Sequence, residues 1–180
     1  MKYFFIIILV INTCFHVNAQ ITIGSQTTIP TPKESVILDF VEGENKGIIL
    51  PYVRVMPSGE NLVEGTILLN ATDPTNAKIE YYNGSWQDLS NSHTANIQTY
   101  LSNQPTEVKN VESKVIIGAK TTSADGILVL ESDSKALVLP KVNSVNDIIN
   151  PAPGMMVLLN NSSTKMLAVF NGKIWTFWEP

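Results

Sequence analysis

An internal repeat limits the folds available to this chain more than any other feature of its sequence. Three landmarks, a proline, a glycine and a tryptophan, recur in the same order 89 residues further along: Pro51 and Pro140, Gly65 and Gly154, Trp86 and Trp175. Upstream, the segment 21–24 matches the segment 115–118 at a spacing of 94 residues. Such self-similarity predicts a repeated supersecondary unit. We place the first copy at 20–89, a polar linker at 90–114 and the second copy at 115–180.

Each copy is predicted to be all-β, built from short strands and ending in a three-strand meander. Short apolar runs predict the strands. A proline after such a run marks its end, because proline has no amide hydrogen to donate to a central ladder. The meander strands are predicted at 66–70, 78–82 and 85–89, and again at 155–160, 166–170 and 173–177. Asn83-Gly84 and Asn171-Gly172 stand before the last strands. Asn-Gly favours a type I′ hairpin turn, in which both central residues have positive φ.

Several predicted strands are apolar without alternation, which indicates that both of their faces are covered. Either the other copy or another protomer could provide the cover. Little helix is predicted. Residues 144–149 fit one turn capped by Ser144. Within the linker, the spacing of Ile97, Tyr100 and Leu101 fits a short helix or a solvated segment equally well.

The first 19 residues have the layout of a secretory signal peptide. Lys2 precedes a nine-residue apolar run, and Val17-Asn18-Ala19 provides a cleavage site before Gln20. The apolar run is too short to cross a bilayer, so the mature chain is expected to have no transmembrane segment. Export would place the protein in the periplasm, on the outer-membrane surface or outside the cell.

Removal of 19 residues from 180 would leave 161, with a net charge of 11 − 16 = −5. The only cysteine, Cys14, would be lost, which excludes disulfides, thiol nucleophiles and zinc sites built on cysteine. An acidic chain with a single arginine, Arg54, has no electrostatic footprint for nucleic acid. No cofactor is predicted.

Few residues could carry catalysis. His93 would be the only histidine of the mature chain, and it lies in the linker, where an exposed loop histidine is expected. Glu42 with Glu44, and Glu131 with Asp133, occupy corresponding turns. Such pairs could bind a hard cation or act in hydrolysis, but a solvated acidic turn is the preferred interpretation, and we predict no metal site and no enzyme.

Aromatic residues of the terminal hairpins are the candidate contact residues. Their rings could pack in the core, pack at an oligomer interface or stack on a ligand such as a sugar. The candidates are Tyr82, Trp86, Phe170, Trp175 and Trp178.

The motifs of the first copy also support a family resemblance. In order, they are Ile21-Thr22-Ile23-Gly24, Leu38-Asp39, Lys46-Gly47, Leu50-Pro51, Gly65 and Tyr82-Asn83-Gly84-Ser85-Trp86. This pattern resembles the tandem repeats of secreted surface proteins of Bacteroidota, which are similar to segments of phage tail fibres and trimeric adhesins. The resemblance implies a homo-oligomer, with a trimer favoured.

Two functions follow as expectations. The first is a non-enzymatic, secreted structural or adhesive surface protein, fibre-like, acting through protein–protein contacts with itself or with an envelope protein. The second is a carbohydrate-binding module that uses the hairpin aromatics on a surface glycan.

Overall fold

In the part of the chain that the structure describes, the strands form four sheets and account for nearly all of the regular structure. A computed structural model describes residues 20–25, 35–104, 114–161 and 165–179; the predicted signal peptide lies outside them. The elements are β1 Ile21–Ile23, β2 Val36–Phe40, β3 Ile48–Ile49, β4 Tyr52–Val53, β5 Ile67–Asn70, β6 Lys78–Tyr82, β7 Trp86–Asp88, α1 Gln98–Leu101, β8 Val115–Ile117, β9 Leu128–Leu130, β10 Ala136–Leu137, β11 Lys141–Val142, β12 Met155–Asn160, β13 Lys165–Phe170 and β14 Trp175–Trp178. The all-β prediction is confirmed, and the strands stack in a solenoid-like arrangement.

Two of the sheets have the same connectivity. In each, a two-residue strand runs parallel to the next strand, which then continues into two antiparallel strands: β4-β5-β6-β7 and β11-β12-β13-β14. The parallel registers also correspond, since Tyr52 lies opposite Leu69 and Lys141 lies opposite Leu158. The predicted meanders are present, and each has a short parallel strand in front of it that was not expected from the sequence.

The predicted type I′ geometry of the Asn-Gly turns is wrong. Only the glycine of each pair has positive φ, 90° at Gly84 and 110° at Gly172. The strand pairs that close the hairpins leave loops of three residues, 83–85, and four residues, 171–174. A type I′ turn needs a two-residue loop, so these longer loops use one left-handed glycine instead.

The two halves of the chain exchange strands. From the first half, β3 pairs antiparallel with β12; from the second half, β10 pairs parallel with β2. The larger core cluster combines Leu50, Leu69 and Ile79 of the first half with Met156 and Val169 of the second. The halves therefore cover each other's apolar strands within one chain.

Part of the predicted linker belongs to this core. The helix α1 follows Ile97, which is fully buried, and ends at Leu101, which is also buried. Ala95 forms an isolated bridge with Ala77. The segment 90–104 therefore contributes Ala95, Ile97 and Leu101 to the larger core cluster, and 105–113 lie outside the described residues. A 3-10 turn, Val145–Asp147, begins at the predicted cap, where the Ser144 side chain accepts from the Asn146 amide.

Candidate functional site

The hairpin aromatics form two similar pairs, one at the end of each meander. Tyr82 lies opposite Trp86, and Phe170 lies opposite Trp175. The ring centroids are 5.3 Å apart in the first pair and 5.2 Å apart in the second, with tilted planes in both. These distances fall within the range that favours aromatic pairs, so each pair stabilises the closed end of its hairpin.

The surroundings of the two pairs differ. Phe170 and Trp175 pack against the smaller core cluster, made of Val142, Ile148, Met155, Val157, Leu159 and Ala168. Tyr82 and Trp86 are half-buried and belong to neither core cluster. Of the two pairs, the first is therefore the better candidate for contact with a ligand.

Trp178 lies away from both pairs, at the other end of β14 from Trp175. Its side chain is 38% exposed, and its indole Nε1 donates to the backbone carbonyl of Leu89 at 2.9 Å. The hydroxyl of Thr176 donates to the same carbonyl at 2.9 Å. Trp178 thus joins the last strand of the chain to the end of the first meander, and the five aromatics do not form one site.

The asparagine of the second turn holds its loop together. The side-chain oxygen of Asn171 accepts from the amides of Lys173 and Ile174, at 2.9 Å and 3.0 Å. Its Nδ2 donates to the backbone carbonyl of His93 at 3.0 Å. Asn171 is almost completely buried, whereas the side chain of His93 is exposed, as expected.

The acidic turns have structural partners. Glu42 forms an ion pair with Lys141 at 2.6 Å, and Glu44 forms one with Lys46 at 3.1 Å. Glu131 accepts from the hydroxyl of Thr122. In the part of the chain that the structure describes, no group of three or more histidine, cysteine or acidic residues is placed to hold a metal ion.

Asp73 organises the connection between β5 and β6. Hydrogen bonds from Thr75 and Asn76 lower the pKa of the Asp73 carboxyl to about 2. The carboxyl is fully exposed, so its neighbours and not burial cause the shift. This is the role of a turn residue.

One sheet edge is covered in the second half of the chain and open in the first. The beginning of β12 is covered by β3, and the Leu50 amide donates to the Gly154 carbonyl at 3.0 Å. At the corresponding glycine, Gly65, no described strand pairs along the edge, and the residue is exposed. The sequence contains one indication of this surface, the match of segment 46–51 with segment 135–140. The match relates β3 to β10, but it does not show which strands they pair with.

No helix within the described ranges is long and apolar enough to span a membrane.

Comparisons with known proteins bear on the second half of the chain. A family model described as "Phage tail like trimerisation region" matches residues 116–179, from within β8 to just beyond β14. No curated protein and no solved structure matches the chain. The second half is therefore similar to phage tail-fibre segments. This similarity and the all-β fold fit a fibre-like structural protein, and they support a homo-oligomer.

Proposed function

We propose that the protein is an exported, non-enzymatic structural protein that assembles into a homotrimer as a fibre-like element of the cell surface. The observation that carries the proposal is the match of residues 116–179 to a phage tail-like trimerisation region. Strand exchange between the halves also supports it, because a chain built this way has further strand edges to offer. An adhesive role, through contact with an envelope protein or another surface, belongs to the same proposal.

The repeat and the export signal are part of this proposal. We propose that 20–89 and 115–180 are two copies of one unit of the kind found in secreted surface proteins of Bacteroidota. The equal connectivity of the β4–β7 and β11–β14 sheets supports the two copies. The basic, apolar and small-residue layout of residues 1–19 supports export to the periplasm, the outer-membrane surface or the medium.

The alternative function is binding of a surface glycan by aromatic rings. It is favoured by one observation, that Tyr82 and Trp86 pack on neither core cluster. If it holds, Trp86→Ala should abolish retention on a glycan array. The matched change Trp175→Ala, at a tryptophan that packs on the core, should act mainly on stability.

The solution mass of residues 20–180, measured by light scattering coupled to size exclusion, tests the proposed function. A mass three times that of one chain is expected. A monomer at all concentrations would contradict the assembly and would leave the Tyr82–Trp86 hairpin as the leading candidate for function.

A further inference from the structure

The contact between the two halves of the chain has two reciprocal parts. In the first part, β3 lies along the beginning of β12, with Ile49 opposite Met155. In the second part, β10 lies along β2, and the Val138 amide donates to the Leu38 carbonyl at 2.9 Å. Each half therefore gives one short strand to the other.

The strand edge that corresponds to the covered part of β12 is open on β5. The Leu69 amide donates to the Pro51 carbonyl, and Ile67 lies two residues earlier, so the backbone groups of Ile67 face the same edge. Among the described strands, only β4 lies on that edge, and it pairs with Leu69 and Asn70. Met156 is the counterpart of Ile67 in the second half, and it pairs with Ile48 of β3. The amide and carbonyl of Ile67 point toward the corresponding position on β5.

The local environment agrees that no described residue covers this position. A Cβ added at Gly154 would meet atoms of Leu50 and Tyr52 at 3.4 Å, whereas one added at Gly65 would meet nothing within 4 Å. Glu64 and Gly65 are exposed, but the corresponding Gly154 is buried and Pro153 is also buried. An unpaired strand edge of this kind is a template for a strand of another chain.

The second half has the complementary opening. Val36, Ile37 and Leu38 of β2, the strand that pairs with β10, are each at most 5% exposed. In the second half, β9 pairs only with β8 among the described strands. Leu128 of β9 is 47% exposed, and Ile127 before it is 68% exposed. Exposed aliphatic side chains beside an unpaired strand edge leave room for a further strand.

The strands that would fill both openings are present in the same chain. Residues 137–140 correspond to residues 48–51, and each run is three aliphatic residues followed by proline. Of the described strands, β3 pairs only with β12, and β10 pairs only with β2. Each of these two-residue strands therefore has a second edge that no described strand occupies.

We infer that a second copy of this chain repeats the internal contact between protomers. The 137–139 segment of one protomer pairs antiparallel with the Gly65–Ile67 edge of its neighbour, and β3 of that neighbour pairs parallel with β9 of the first. The second half of each protomer thus docks on the first half of the next. Such a head-to-tail contact makes a closed ring if its rotation closes, and three protomers close it in the proposed trimer, on which the inference rests.

Charge complementarity supports this interface. Across the internal contact, the Tyr52 hydroxyl donates to the Pro153 carbonyl at 2.8 Å. The residues at the corresponding positions are Lys141 and Glu64. The contact between protomers therefore places a lysine opposite a glutamate, where the internal contact has two uncharged residues.

Engineered disulfides test the inference directly, because residues 20–180 contain no cysteine. The pair Thr66→Cys with Val138→Cys corresponds to Met155 and Ile49, which lie directly opposite each other. Opposite residues of antiparallel strands have Cα atoms about 4.5–5.5 Å apart, within the range of a disulfide. We expect oxidation to produce covalent dimers and trimers.

The matched control is Ile49→Cys with Met155→Cys, which should give a disulfide within one chain and a covalent monomer. Each single cysteine variant should give no trimer. If light scattering shows an oligomer and the control pair oxidises, but the thiols introduced by Thr66→Cys and Val138→Cys do not join different chains, the inference is overturned and the proposed function stands. If the wild-type chain is monomeric at all concentrations, both fail.

Charge reversal provides a second test that needs no cysteine. In a Glu42→Gln background, which removes the partner of Lys141 within the chain, Glu64→Lys should weaken assembly by roughly two- to five-fold, as expected for an exposed pair. Adding Lys141→Glu should restore it. A variant with both reversals that assembles no better than Glu64→Lys would overturn the contact between these residues.

Discussion

Asn171 and Asn83 occupy corresponding turns, but they contribute differently to stability. Asn171 is buried and uses both its oxygen and its amide nitrogen, joining its own loop to the backbone at His93. Asn83 lies in a loop that is one residue shorter, and it is more exposed. The same Asn-Gly sequence thus serves as a buried clamp in one half and as a surface turn in the other.

Replacing Asn171 by alanine should lower the free energy of unfolding by about 1–3 kcal/mol, because a buried side chain would be lost and the amides of Lys173 and Ile174 would lose their acceptor in a partly buried loop. Asn83→Ala is the matched control and should change it by less than about 0.5 kcal/mol. Denaturant unfolding followed by circular dichroism measures both. An equal decrease in the free energy of unfolding at the two positions would show that the hydrogen bonds of Asn171 add no stability beyond those of a surface turn.

At the scale of elements, the strands with long apolar runs were predictable and the shortest strands were not. The predicted boundaries of β6 and β12 agree with the structure. The strands β4 and β11 have two residues each and directly follow prolines, so no periodicity could be read in them. Their pairing depends on a partner far along the chain, which local sequence does not determine.

The candidate site shows the same division. Tyr82, Trp86, Phe170 and Trp175 flank the hairpin turns, which the Asn-Gly pairs located. The sequence could not show that Phe170 and Trp175 pack on the core, or that the Trp178 indole binds the Leu89 carbonyl, since both depend on tertiary contacts. The open edge of β5 was not predicted for the same reason.

The helix α1 is stabilised by what it covers. Four residues are too few for an independent helix in water. Ile97, the residue before it, is fully buried and belongs to the core cluster shared by both halves. Packing of Ile97 and Leu101 in this cluster therefore holds the helix in place.

Ile97→Ala should lower the free energy of unfolding by about 2–5 kcal/mol, the cost of removing a large aliphatic side chain from a packed core. Tyr100 lies on the same segment and is 45% exposed, so Tyr100→Ala should cost much less. Unfolding midpoints in urea compare the two. A small effect at Ile97 would mean that segment 90–104 is only loosely attached.

For the whole molecule, the contacts between halves predict one cooperative unit. The larger core cluster contains side chains from both halves. The Leu89 carbonyl at the end of the first meander accepts from both Thr176 and Trp178 of the second. Neither half, at about 60 to 70 residues, would bury enough surface to be very stable alone. Loss of one sheet would therefore expose the core of the other.

Thermal unfolding of residues 20–180 should accordingly show a single transition, with the same midpoint by tryptophan fluorescence and by circular dichroism. Because assembly stabilises the folded state by mass action, the midpoint should rise with protein concentration. In Thr66→Cys with Val138→Cys, oxidation should remove this dependence by making the contact between protomers covalent, and reduction should restore it. Two separate transitions would contradict a fold in which the halves of one chain unfold together. A midpoint independent of concentration in the wild-type chain would contradict the contact between protomers.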